Sequence, residues 1–248
     1  MMAAMSRATH QHDSMLSTRL ARRLACHQAL HDPVREPRNR LPWLPELRRW
    51  QAQRLERSFN RLLQDPGTRP AAHFFLNDVY GDHDFSRRDA DIAKVMPMMQ
   101  GLLPQPLLAS VADGIELGVL THAFDLRMAD VLGRLAPSQR RLDDSLYMQA
   151  YRAVGLPRLR GHQIGLIGHV GQGLGSALQM PKVGTLLRLS RLPAKAVGLA
   201  ELQGFLERGF DAFAQLGDID GFLDDIDRSE RAISRRLFAG DADPFRNN

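Results

Sequence analysis

The sequence predicts an all-α protein, a multi-helix bundle of about nine or ten helices with no significant sheet. Three observations carry this. Apolar residues recur at three- and four-residue steps through most of the chain, the period of one face of a helix. Alternating strand patterns are absent. Proline and glycine fall between the periodic segments, with several prolines at a first helical position, where the missing N–H costs nothing.

Taken in order, Leu16, Leu20, Leu24 and the run from Cys26 to Leu30 form a first amphipathic helix with an Arg-rich face, capped by Ser14 or Ser17 and closed by Pro33. Pro37, Pro42 and Pro45 make residues 34–45 a connector. A second helix is expected over 45–64, ended by Asp65-Pro66-Gly67, and a third over 70–80, with Phe74, Phe75 and Val79 facing inward and Gly81 as its stop. Ser86 and Asp89 open a fourth, a variant of the capping box, kinked at Pro97. Over 105–134 the positions Leu107, Leu108, Val111, Ile115, Leu117, Leu120, Phe124, Leu126, Met128, Val131 and Leu132 keep helical spacing, which predicts a long, mostly buried helix. Five more are expected over 138–154, 157–178, 181–192, 193–216 and 218–238. The resulting organisation is a disordered segment 1–13, a helical arm with its Pro-rich connector 14–42, an all-α domain 43–239 and a frayed, disordered tail 240–248.

The chain has 248 residues, 44% hydrophobic and 25% charged, which excludes collagen-like, low-complexity and wholly disordered classes. No run approaches the roughly 18 uninterrupted apolar residues of a membrane-spanning helix, and residues 1–13 lack the apolar core of a signal peptide. A cytoplasmic protein without a transmembrane segment is expected. The single cysteine, Cys26, permits no internal disulfide and reads as a small core residue.

The net charge of +5 conceals blocks of alternating sign: +7 over 1–72, −4 over 73–144, +7 over 145–200 and −5 over 201–248. The third block has 56 residues without an Asp or Glu, leaving Arg152, Arg158, Arg160, Lys182, Arg188, Arg191 and Lys195 with no nearby sequence partner. Either this surface meets an anionic partner or the acidic last block folds back on it. The excess of 30 Arg over 3 Lys fits phosphate recognition by guanidinium forks or the codon usage of a GC-rich genome.

The string Phe74-Phe75-Leu76-Asn77-Asp78-Val79-Tyr80-Gly81, followed by Asp84-Phe85-Ser86-Arg87-Arg88-Asp89-Ala90-Asp91, resembles a family of uncharacterised bacterial proteins named for an FFLEELY motif; residues 199–210 are similar to the same family's C-terminal part. The sequence departs from the motif at Asn77 and Asp78, where the family has two glutamates, and at Val79, where it has leucine. The resemblance implies helices and supplies no mechanism. By physical character Phe74, Phe75, Leu76, Asp78 and Tyr80 read as a structural motif, since aromatic side chains at a helix end anchor it to a core.

Catalytic patterns can be argued down. Glu116, His122, Asp125, His162 and His169 offer carboxylate and imidazole donors for a helical-bundle metal site, yet no Glu-x-x-His pair occurs, and each histidine reads as capped or solvent-facing. Gly161, Gly165, Gly168 and Gly171 recur at helical steps and suit close helix packing, with Gly173 and Gly175 ending that helix; a dinucleotide turn would need a strand before it and an acid about 20 residues on, and the next acid is Glu201. Walker loops and nucleophile elbows are missing. Asp224, Asp225, Asp227 and Glu230 lack the central glycine of a calcium loop and read as a solvated helix face. No catalytic residue, metal or cofactor is therefore assigned.

What remains is a non-enzymatic helical interaction protein using the basic acid-free segment to meet an acidic protein or the acidic block of a second copy. The alternatives are a metal-dependent helical-bundle oxidoreductase built on the five donors above and a weak nucleic-acid binder. Nucleic acid is not favoured, because Tyr147 and Tyr151 are the only aromatics interleaved with the basic segment. The Arg-rich helix 14–30 is a further candidate for an acidic partner or a membrane surface.

Overall fold

A computed structural model of the chain describes residues 2–79, 94, 105–139, 141–181, 183–189, 191–196 and 198–246. Among them it has eleven α-helices and no strand: α1 (Met2–His31), α2 (Trp43–Ser58), α3 (Asn60–Gln64), α4 (Arg69–Phe74), α5 (Gln105–Leu135), α6 (Asp144–Val154), α7 (Pro157–Gln179), α8 (Val183–Leu189), α9 (Arg191–Ala196), α10 (Ala200–Phe213) and α11 (Ile219–Ala239). A 3-10 turn (Pro37–Arg40) lies between α1 and α2, and a π-helical turn (Phe75–Val79) continues α4. The predicted all-α bundle is the observed architecture.

α5 is its axis. Leu107, Leu108, Ala112, Ile115, Leu117, Phe124, Leu126, Met128, Val131 and Leu132 bury most of its circumference, and α1, α2, α6 and α7 wrap it. By length and composition this helix would also suffice to cross a membrane; its central acids Asp113, Glu116 and Asp125 interrupt the apolar run, and here it is the core helix. One large core joins Trp43, Leu47 and Trp50 of α2 to the C-terminal half of α5, to Tyr147 and Tyr151 of α6 and to Ile233 and Leu237 of α11. A second gathers Phe74, Phe75, Phe213, Phe222, Leu223 and Ile226 around Leu117, Leu166 and Ile167. A third, smaller cluster seats α1 through Leu16 and Leu20 on Leu108, Val111, Ala112 and Ile115.

Local chemistry sets the helix ends. Asp143 and Asp218 accept from the N–H groups of Leu146 and Gly221 at 2.8 and 2.9 Å, capping α6 and α11. α6 and α7 are joined by two residues, Gly155 (φ +68°) and Leu156 (φ +64°). Pro157 disfavours right-handed helix at the residue before it, so the reversal puts a leucine in the left-handed region.

Several boundaries differ from expectation. The helix over 45–64 breaks at Phe59, whose ring is buried, into α2 and α3. α1 is already helical at Met2, ahead of Ser14 and Ser17. The segment over 138–154 becomes helical only from its Asp143 cap, and that over 193–216 splits at Gly198, which takes φ +77°. Tyr80 and the helix expected from Ser86 lie outside the described residues. Over 240–246 the tail is packed rather than frayed: Pro244 is fully buried and Phe245 packs against Trp50 and Tyr147, because an apolar pair so close to α11 reaches the aromatic core. Cys26 is exposed on α1 rather than in the core.

Of the α7 glycines expected to serve packing, Gly171 does so closely, Gly161 and Gly165 face the Arg231 side chain and Gly168 faces open space; Gly173 and Gly175 do not end the helix, which runs on to Gln179. A Cβ at Gly171 would overlap the Leu223 side chain of α11, and one at Gly173 would overlap Ser110 of α5. Two neighbours thus approach α7 within one turn, on nearly opposite faces. Gly173→Val is expected to lower unfolding free energy by about 1–3 kcal/mol, the usual cost of overpacking, read from the midpoint of urea denaturation.

Candidate functional site

Four polar side chains interrupt the apolar surface of α5, and the helices around it bring cations to them. Near its N-terminal end, Asp113 and Glu116 stand one turn apart and receive Arg19 and Arg23 of α1: Arg19 lies 2.8 Å and Arg23 3.2 Å from Asp113, and Arg23 also pairs with Glu116. From α7, His162 Nε2 is 2.8 Å from Glu116 and His169 Nδ1 is 3.7 Å from Asp113. The Arg-rich face expected to seek an acidic partner or a membrane finds that acid inside its own chain.

One to two turns on, His122 and Asp125 form a separate centre. His122 is 4% exposed, a correction to the solvent-facing reading. Arg48 Nη2 approaches its Nδ1 at 2.8 Å, and a guanidinium only donates, so Nδ1 is the acceptor and Nε2 carries the proton. That N–H donates to Asn39 Oδ1 at 2.8 Å, while Asn39 Nδ2 donates to the carbonyls of Leu30 and Glu36. The neutral tautomer is fixed on both sides. Burial above all, then His31 and Arg48, push the His122 pKa down to about 3. The rings of His31 and His27 stack on it in sequence, with centroids 4.0 and 4.2 Å apart. Arg48 Nε also reaches Asp125 at 3.5 Å, and burial pushes that carboxyl up.

Glu116 and His162 therefore meet, but His122 and Asp125 do not join them, and among the described residues no three His, Cys, Asp or Glu side chains converge on one point. The five-donor metal arrangement is not formed. The sequence reading missed His27, His31, Asn39, Arg48 and Asp113. The signal available was the four-residue spacing of His27 and His31, which sets both rings on one face of α1.

The basic segment is not one surface. Arg152 and Arg158 flank the turn before α7, whereas Arg188, Arg191 and Lys195 follow its far end, about 33 Å away along a helix of 23 residues. Arg160 is buried: its guanidinium stacks 3.6 Å above Phe124 and 4.8 Å from Tyr151 and donates to Gln163. Its long apolar stem and flat cation fit between aromatic rings, which removes it from any partner-binding role. Arg191 is held by Glu207 through two donors, so the acidic last block does fold back at this point. The other acids of that block go elsewhere, Glu230 to Arg54 and Asp225 to Arg61, so the face expected to be solvated holds a buried ion pair. Lys182 lies outside the described residues. Among the described residues, Arg152, Arg158, Arg188 and Lys195 form no ion pair.

The aromatic motif is structural in this arrangement. Phe74 and Phe75 pack in a ring network with Phe205, Phe213 and Phe222, Leu76 covers its edge, and Asp78 binds Arg208 at 2.6 Å.

Fold and polar centres define a helical bundle domain organised around one apolar helix. The chain belongs to the family described as a domain of unknown function (DUF8198), whose model matches residues 30–244. No curated protein and no solved structure matches it. Nearly all of α1 thus precedes the matched region.

Charge reversal separates the buried arginine from the exposed ones. Arg160→Glu sets a carboxylate against Phe124 and is expected to lower stability by about 3 kcal/mol or more, whereas Arg152→Glu and Arg158→Glu stay within about 0.5 kcal/mol of the parent in thermal and urea melts.

Proposed function

We propose that this protein acts by binding rather than catalysis, as a helical interaction protein whose contact surface is the stretch 188–195 at the far end of α7, and that its partner is an acidic protein. The observation that carries this reading is the pairing of two nearly free leucines with unpaired cations. Leu189 and Leu192 are 70% and 78% exposed, and Arg188 and Lys195 beside them form no ion pair among the described residues.

Apolar side chains so exposed gain most by burial against another molecule. The cations around them would steer an anionic surface into register and repel basic ones. Arg191, fixed by Glu207, forms a rigid border to this stretch. The acid-free run of the sequence thus keeps its proposed role in its C-terminal part, while Arg160 leaves it. On this reading the chain is a cytoplasmic protein of the bacterial group named for the FFLEELY motif, with the motif serving the core beneath α10.

The test is capture of binding proteins from native-host lysate, with nuclease, by the full chain and two double variants. Arg188→Glu with Lys195→Glu, and separately Leu189→Ser with Leu192→Ser, are expected to lose about tenfold or more of the captured acidic protein, equivalent to about 1.4 kcal/mol or more. Arg152→Glu with Arg158→Glu should retain it. Equal capture by all folded variants would refute the assignment, and a capture that appears only without nuclease would point to nucleic acid instead.

A further inference from the structure

Five of the nine histidines in the chain stand at the seat of a single helix. His27 and His31 come from α1, His122 from α5, and His162 and His169 from α7. The ring of His27 lies against α5 where Gly118 has no side chain; a Cβ there would stand 3.6 Å from it. His31 Nδ1 donates to the His27 carbonyl at 2.9 Å, and its ring covers His122.

The charged groups facing this seat come from every element around it. α1 supplies Arg19 and Arg23, α2 supplies Arg48, and α5 supplies Asp113, Glu116 and Asp125. The turn before α2 supplies Glu36 and Arg38, which are locked to each other at 2.6 Å. At neutral pH the arrangement is closed: every carboxylate of α5 has an arginine, and the His122 ring carries no charge that Arg48 would oppose.

We propose that α1 is a proton-released arm, held on α5 through the uncharged ring of His122 and set free when that ring takes up a proton, while the rest of the bundle stays folded. Three features give this direction. His122 has both ring nitrogens engaged, so a second proton on Nδ1 breaks the Arg48 contact and sets a cation under the stacked His31 ring, a burial that opening the stack to water relieves. The opening divides α1 from α5, because His27 and His31 lie on one and His122 on the other. On α7, His162 Nε2 already lies 2.8 Å from Glu116 and His169 Nδ1 3.7 Å from Asp113, so both carboxylates keep a polar neighbour after α1 leaves.

The sign follows from linkage. His122 is held well below the ordinary imidazole range when docked, so the released state binds the extra proton, and docking weakens as pH falls through the ordinary range near 6.5. Release stays local because α1 packs chiefly on α5, through a small apolar cluster of its own, and meets the large core only through Leu30 at its C-terminal end.

The test is amide hydrogen exchange of the full chain at pH 7.5 and 5.5, corrected for intrinsic rates. One net proton gives up to a tenfold change per pH unit. Amides over 18–31 should exchange about tenfold or more faster at pH 5.5, while those of α5 over 124–132 and of α11 keep their protection. His122→Gln can still accept from Arg48 and donate to Asn39, and should hold 18–31 protected at pH 5.5. His31→Gln, at a half-buried position on α1, gives the same readout should the core variant not fold. Equal protection at both pH values, loss of protection in α5 and α11 together with α1, or an unchanged response in the folded variants would each overturn the proposal.

Discussion

Everything in this protein is arranged around the need to cover α5. A helix of 31 residues that is apolar on most of its circumference must be wrapped on all sides, and a single layer of neighbours does so: α1, α2, α6 and α7. The wrapping helices also have to satisfy the polar groups α5 carries inward. Asp113 and Glu116 draw the two arginines of α1, and His122 with Asp125 draw Arg48 of α2. The apolar surface and the four polar residues of one helix therefore decide which neighbour sits where.

Buried cations recur elsewhere in the bundle with a common logic. Arg54 meets Glu230 between α2 and α11, and Arg160 lies over Phe124 and near Tyr151. Pairs of this kind contribute little net stability, because the attraction is offset by the loss of water, yet removing one member is costly. Their effect is to penalise any other register. The aromatic contacts add to this: Tyr147 stacks on Trp50 at 3.8 Å, and the Tyr151 hydroxyl lies 2.8 Å from Ser234 Oγ, tying α6 to both α2 and α11.

The alternating charge blocks of the sequence resolve into the same scheme. Arginines of the first block serve acids of the second and the last, at Asp113, Glu116, Asp125, Asp225 and Glu230. Of the third block's arginines and lysines, among the described residues, Arg191 pairs with Glu207, Arg160 is buried over Phe124, and Arg152, Arg158, Arg188 and Lys195 form no ion pair. The block's residual charge divides between the two ends of α7, and only the far end combines cations with strongly exposed leucines. The binding proposed at one end of the bundle and the proton response proposed at the seat of α1 thus rest on different residues, and neither depends on the other.

By itself the sequence determined what depends on neighbours in the chain. The 3.6-residue period of α5, the prolines opening helices and the acidic caps are local properties, and they account for the all-α class and for α5 within a residue or two. Only the tertiary structure decided which residues form a site. Arg152, Arg158 and Arg160 look alike in the sequence, yet only Arg160 turns into the core, because a helix places residues two apart on different faces. His31 and His122 are 91 positions apart and meet as stacked rings, and Phe245 reaches Trp50 from a segment whose composition suggested fraying. Packing between distant segments assigns side-chain environment, and no local pattern encodes it.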